Sequence, residues 1–142
     1  MRTVKQILAT KDPDIWSIAP DATVYDAIHL LAEKEIGALI VLDGEQLVGV
    51  MSERDYARQI ILKDKSSRET QVRDIMTTNV VTTESDHEIA DCMALMTNKR
   101  IRHLPVLDDG KLVGMLSIGD LIRSIISEQQ STINDLAKYI SG

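Results

Sequence analysis

From Asp14 to Ile61 each residue can be laid without a gap on the residue 65 positions later, and 17 of those 48 pairs are identical. About three identities are expected by chance from average residue usage. The densest stretch sets IGALIVLDGEQLVGVMSERD (Ile36 to Asp55) against IRHLPVLDDGKLVGMLSIGD (Ile101 to Asp120). Each copy ends in G-x-x-S-x-x-D, at Gly49, Ser52 and Asp55, then at Gly114, Ser117 and Asp120. A duplication of this length predicts two supersecondary units that share one core, with a cleft between them.

A chain of 142 residues is large enough to bury most of the surface its unfolded form exposes, so a single globular body is expected. With no Phe and one Trp, Trp16, the core must be built from Ile, Leu, Val, Ala and Met. A net charge of −6 argues against nucleic acid or an anionic membrane as the main partner, because both reward clustered Lys and Arg. The opening residues MRTVKQILATKDPD carry no apolar run of the signal-peptide kind, and no segment approaches a span of about 20 apolar residues. A cytoplasmic protein is expected. Cys92, the sole cysteine, aligns with Ala27 on the apolar face of a helix and reads as a buried small hydrophobe. His29, His87 and His103 lack the spacing of zinc ligands, so no metal site is expected.

Each copy reads β-α-β-β-α. In the first, Ile15 to Ile18 predicts a strand, Pro20 to Thr23 a helix start, Ala38 to Leu42 a strand buried on both faces, Asp43 to Gln46 a turn, Leu47 to Met51 a returning strand, and Ser52 a second helix start. The second copy predicts a strand at Val80 to Thr83, a helix from Glu88 to Lys99, strands at Leu104 to Leu107 and Leu112 to Leu116, and a helix from Ile118. Polar residues from Lys63 to Thr70 form a surface connector. Val4 to Leu8 resembles Val72 to Met76 at a displacement of 68, so the repeat includes a lead-in segment, three residues longer in the first copy. Beyond the repeat, Ile122, Ile125, Ile126, Ile133, Leu136 and Ile140 keep helical spacing, interrupted by Gln129 and Gln130. That stripe predicts a helix that docks either on its own domain or on a second chain.

Ser-x-x-Asp at a helix start is a capping box in its own right, and Thr23-Val24-Tyr25-Asp26 has the same form. Three features point beyond capping: an apolar strand ends there, a Gly precedes the Ser by three, and the whole set recurs at +65. Gly49 and Gly114 permit close approach of backbone or ligand. A helix start offers unpaired amides to a phosphate, and a carboxylate can accept from both vicinal hydroxyls of a ribose.

This signature and order of elements resemble the CBS domain, and the tandem resembles a CBS pair, or Bateman module, of the small stand-alone kind. TVYDAI (Thr23 to Ile28), SERDYAR (Ser52 to Arg58) and KRIRHLPV (Lys99 to Val106) carry the likeness. The resemblance implies an α+β fold of two motifs packed with pseudo-two-fold symmetry. Residues 1–142 then form one module: motif 1 at 4–62, a connector at 63–71, motif 2 at 72–128 and a C-terminal helix at 129–142. It further implies an adenosine-containing ligand in the cleft, with Asp55 and Asp120 on ribose, Ser52 and Ser117 toward phosphate, and Ile18 and Thr83 lining adenine. Gly37 and Ala38 would assist in one copy, and His103, Leu104 and Pro105 in the other. The copies differ in their basic residues: Arg54 faces Gly119, and Arg102-His103 faces Gly37-Ala38. Arg54, Arg102 and His103 are therefore expected to serve phosphates.

The resulting expectation is a regulatory sensor of AMP foremost, with ADP, ATP, NAD(H) or S-adenosylmethionine as alternatives. Such a sensor signals to a separate effector protein and forms a homodimer through its helices. The competing expectation is a structural adaptor with no physiological ligand. Enzymatic activity is not expected, because no nucleophile in the motifs has an adjacent base.

Overall fold

The computed structural model describes residues 2–11 and 14–141; the ends of the 1–142 module and of the 129–142 helix segment, Met1 and Gly142, lie outside the described residues. In chain order the elements are α1 (Val4–Thr10), β1 (Ser17–Ile18), α2 (Val24–Lys34), β2 (Ala38–Asp43), β3 (Gln46–Ser52) and α3 (Glu53–Tyr56), which runs into a π-helical turn at Ala57–Ile61. A 3-10 turn at Val72–Asp74 follows, then α4 (Ile89–Lys99), β4 (His103–Asp108), β5 (Lys111–Ser117) and α5 (Ile118–Ser141).

The chain divides into two compact units. The first is the stretch 14–81; the second combines the N-terminal segment with residues from 82 onward. Each unit therefore contains the other copy's lead-in. In the first unit, Val72 and Arg73 donate their backbone N–H groups to the carbonyls of Ala22 and Pro20, both at 2.9 Å. In the second, Val4 and Lys5 donate to His87 and Ser85, also at 2.9 Å. These are the same repeat positions with the lead-ins exchanged. The connector is more than a spacer: the Thr70 and Ser67 carbonyls accept from the Val24 and Tyr25 N–H groups, each at 2.9 Å, satisfying donors that the first turn of α2 leaves open.

The β-hairpins follow from their sequence pattern. In the first unit β2 is central, parallel to β1 and antiparallel to β3. Its residues Ala38 to Val41 are buried, as the unbroken apolar run predicts. Val24, Ala27, Leu31, Leu39, Val41, Met51, Ile60, Val72 and Ile75 make the core of that unit. The equivalent hairpin β4–β5 keeps the same register, including a bulge at the same place, between Val106 and Leu107 as between Val41 and Leu42. Both long helices of the repeat, α2 and α4, end on a residue with positive φ at matching positions, Glu35 (54°) and Arg100 (56°).

Two expectations need correction. The strand at Val80 to Thr83 is reduced to one parallel bridge, Thr83 with Val106. Thr83 exchanges bonds with Pro105 and Leu107, but Pro105 has no N–H to extend the ladder toward Val81; past Thr83, Asp108 accepts from the Ser85 N–H at 2.9 Å and from the Ser85 hydroxyl. The strand at Ile15 to Ile18 is shortened to Ser17–Ile18. The tail is helical as the stripe predicted: α5 runs unbroken for 24 residues through Gln129 and Gln130, because Gln is a good helix former even where it interrupts an apolar stripe.

Candidate functional site

Each G-x-x-S-x-x-D occupies a strand-to-helix junction. In the first unit Ser52 is the N-cap of α3: its hydroxyl accepts from the Asp55 N–H at 3.1 Å, and Asp55 Oδ2 accepts from the Ser52 N–H (2.9 Å) and hydroxyl (3.0 Å). The second carboxylate oxygen, Oδ1, accepts from the Thr77 hydroxyl at 3.3 Å. Among the described residues Asp55 has no ion-pair partner, although Arg54 adjoins it and Arg58 stands three residues on. The neighbouring strand entry, Gly37 and Ala38, is fixed by the Glu53 N–H donating to the Gly37 carbonyl at 3.0 Å and by Ala38 pairing with Ser52. Ile18 pairs with Val41 on the far side of β2.

The second unit repeats the frame. The Ile118 N–H donates to the Arg102 carbonyl at 2.8 Å, and His103 pairs with Ser117. The Ser117 hydroxyl accepts from the Asp120 N–H at 3.2 Å, while Asp120 Oδ2 accepts from the Ser117 N–H at 2.8 Å. Here the carboxylate is more heavily engaged. Lys11 Nζ donates to Asp120 Oδ2 at 2.8 Å and to the Met115 carbonyl at 2.6 Å, and Arg123 Nη2 donates to Oδ1 at 2.7 Å. Asp120 is only 8% exposed. Burial pushes its carboxyl up, but the Lys11 and Ser117 hydrogen bonds with the Lys11 charge outweigh that and hold it below the usual carboxylate range.

His103 lies beside this group. Burial lowers its pKa, Asp120 opposes the shift, and Lys11 and Arg102 add to it, so near neutral pH His103 offers a neutral ring N–H rather than a cation. Arg54 and Arg102 are exposed and can carry charge to an anion. Leu104 and Pro105 are buried in β4. The Thr83 hydroxyl is 2.8 Å from His87 Nδ1 and 3.5 Å from Cys92 Sγ, and its peptide groups pair with Pro105 and Leu107. Thr83 is only 3% exposed and its hydroxyl and peptide groups are already engaged, so its side chain presents little surface to a base. Cys92 is buried as expected, and burial raises its thiol pKa.

Lys11, Thr77 and Arg123 join these clusters and were missed by sequence reasoning. The signal available was weak: Arg58 and Arg123 are identical across the repeat, whereas Lys11 and Thr77 lie in lead-ins that belong to the opposite copy. The glycines of the signature have a definite packing role. A Cβ on Gly49 would stand 2.6 Å from Met76 Sδ and 3.0 Å from the Thr77 carbonyl oxygen; on Gly114 it would stand 2.7 Å from Leu8 Cδ2. The close approach is made by the exchanged lead-ins. Glu84, Asp86 and His87 bring ligand atoms within 4.8 Å of one another, but all three are exposed and His87 Nδ1 is engaged by Thr83. An open groove of about 610 Å³ beside α2, lined by Tyr25, His29 and Tyr56 among others, includes none of the candidate residues. Among the described residues no helix is long and apolar enough to cross a membrane.

The CBS domain profile matches twice, at residues 4–62 and 72–127. Among solved structures, a putative signal-transduction protein with CBS domains from Burkholderia ambifaria is 50% identical, with a TM-score of 0.87, covering 90% of this chain and 96% of that one. The mitochondrial CBS domain-containing protein CBSX3 of Arabidopsis thaliana is 41% identical over 133 residues, 90% of this chain; the chain spans 64% of that relative's length. Two further structures contain adenosine compounds. CBSX2 in complex with AMP is 27% identical (TM-score 0.76, covering 89% of this chain and 98% of that one). The CBS domain pair of MJ0100 in complex with 5′-methylthioadenosine and S-adenosyl-L-methionine is 26% identical (TM-score 0.80, covering 90% and 98%). The chain belongs to the CBS-domain family, as a tandem pair of mixed α and β structure.

Proposed function

We propose that the chain is a regulatory module that binds an adenosine-containing ligand at its G-x-x-S-x-x-D junctions and passes the bound state to a separate effector protein. The observation that carries this reading is Asp55. Its Oδ2 is committed to the helix cap, while Oδ1 accepts one hydrogen bond of 3.3 Å from an exposed threonine, leaving acceptor capacity for a ribose hydroxyl. AMP and S-adenosylmethionine, found on CBSX2 and the MJ0100 pair, share the adenosine moiety that such a carboxylate would hold. AMP is the first candidate, with ADP, ATP, NAD(H) and S-adenosylmethionine behind it.

In this reading Ser52 and Ser117 face the phosphate side, and Arg54 and Arg102 supply charge with His103 as a neutral donor. Ile18 and Gly37, which are part-exposed, would line the base together with the backbone edges of Ala38, Thr83, Leu104 and Pro105, whose side chains are buried. The Asp55 junction binds the ribose more readily, because at Asp120 the ligand must compete with Lys11 and Arg123. A ligand can shift the module only by its difference in affinity between two states. A cytoplasmic homodimer acting on a partner is the setting we propose.

Asp120 also supports a second reading, in which its saturated carboxylate is structural and the module is an adaptor. A thermal-shift scan with AMP, ATP, NAD, NADH and S-adenosylmethionine separates the two. At a ligand concentration 100 times Kd, binding to the folded state alone adds about 2.7 kcal/mol and raises the melting temperature by several degrees. A shift with one of the five supports the sensor; no shift with any supports the adaptor. Turnover of any of them by pure protein, lost in Asp120→Ala, would point to an enzyme instead.

A further inference from the structure

The exposed part of α5 carries a feature that nucleotide binding does not use. Its first turns bury Leu121 and Ser124, which anchor the helix, whereas residues 126–140 are all exposed. Along that face Ile122, Ile126, Gln129, Ile133, Leu136 and Ile140 follow one another at steps of 4, 3, 4, 3 and 4. This is a heptad seam, with Ile126, Ile133 and Ile140 at one core position and Ile122, Gln129 and Leu136 at the other. Ile133 and Leu136 are each 57% exposed and Ile140 83%, an unusual density of open aliphatic surface for one helix face.

We propose that this seam pairs, parallel and in register, with α5 of a second copy of the chain. Charge favours an identical partner. The residues flanking the seam are Arg123, Ile125, Gln130, Thr132, Ala137 and Tyr139, so Arg123, at the anchored end, is the one charge brought near its own copy. Glu128 and Asp135 fall on the outward positions. One core position is β-branched throughout, as in two-stranded pairs, while the other holds Ile122, Gln129 and Leu136.

Gln129 chooses the orientation. In a parallel pair it meets its own copy, and each side-chain amide can donate to and accept from the other. In an antiparallel pair centred on the seam it meets Ile133, which leaves the amide without a partner in an aliphatic layer. An anionic membrane is a poorer occupant, because the polar face sets Glu128 and Asp135 against the single cation Lys138, where an interfacial helix is rich in Lys and Arg. The seam spans about 27 Å, less than three full heptads, and a free peptide of that length is a marginal helix. Attachment to the folded unit at Leu121 and Ser124 supplies the missing preorganisation.

The test is made on the full chain, since all seam substitutions fall on exposed positions. Sedimentation equilibrium should show self-association that Ile133→Asp and, separately, Leu136→Asp each weaken at least tenfold, with unchanged far-UV dichroism. Under mild oxidation the Leu136→Cys chain should cross-link to itself, with Cys92 too buried to contribute. Cross-linking confined to a mixture of Ile126→Cys and Leu136→Cys chains would overturn the parallel register. Self-association equal to wild type in both Asp variants, with no cross-link at Leu136→Cys, would overturn the seam.

Discussion

At Asp55 the carboxylate caps its helix and takes one further hydrogen bond, from the Thr77 hydroxyl; at Asp120 the same repeat position caps its helix and holds both Lys11 and Arg123. The Lys11 part of the difference comes from the exchanged lead-ins; Arg123 lies on α5 of the same copy, and its repeat counterpart Arg58 makes no ion pair with Asp55. The second copy's lead-in is a short 3-10 turn that runs on to Thr77, whose backbone pairs with Val50. The first copy's lead-in is three residues longer and forms α1, a helix of seven residues. Beyond its end Lys11 takes the Met115 carbonyl that corresponds to the bridged Val50, and reaches Asp120 as well. A duplicated site can therefore diverge without change to its signature, through the segment it borrows from the other copy.

The largest contrast should appear on removing the carboxylates. Asp120→Ala deletes a cap and a nearly buried ion pair and should cost about 2–3 kcal/mol in urea unfolding; Asp55→Ala deletes a cap and should cost about 1 kcal/mol. Equal losses would show that the Lys11 contact is energetically silent. Next come the glycines. Gly49→Ala meets the Thr77 backbone carbonyl and should destabilise by about 2 kcal/mol, whereas Gly114→Ala meets the mobile end of Leu8 and should cost about 1 kcal/mol. The reverse order would place the rigid lead-in in the other unit.

A smaller effect is expected from the polar partners themselves. Lys11→Met should cost about 1.5 kcal/mol and Thr77→Val under about 0.5 kcal/mol, by chemical denaturation at low salt. Smallest is the pH dependence of the second unit. His103 has a folded pKa below its ordinary 6.5, so its contribution is complete above that value and is lost as pH falls through the folded pKa. Asp120 behaves alike at lower pH: its contribution is present above the ordinary 3.8 and disappears as pH drops through its depressed value. His103→Gln should flatten the stability profile below pH 6.5 and leave the more acidic part, which depends on Asp120 and Lys11, in place.

Local pattern made much of this fold legible. The hairpins β2–β3 and β4–β5 stand where apolar strands flank turn residues, and α2 and α4 where apolar residues recur at helical spacing. The caps at Ser52 and Ser117 were readable for the same reason, since a capping box is contained within four residues. The exchange of lead-ins was not, because Val4–Leu8 and Val72–Met76 are alike enough to fit either copy. With it went Lys11 and Thr77, whose roles depend on contacts across 109 and 22 residues. Val80 to Thr83 failed as a strand because Pro105, which stands where the first unit has Ile40, has no N–H to donate to the next rung beyond Thr83.

The central claim is that the two junctions are adenosine sites of unequal readiness, and isothermal calorimetry with AMP and S-adenosylmethionine tests it directly. The wild-type chain should bind one of them saturably, Asp55→Ala should weaken that binding at least tenfold with dichroism unchanged, and Lys11→Met should strengthen it by freeing Asp120. An identical Kd in the wild type and Asp55→Ala, or no binding heat from either ligand, would contradict the account.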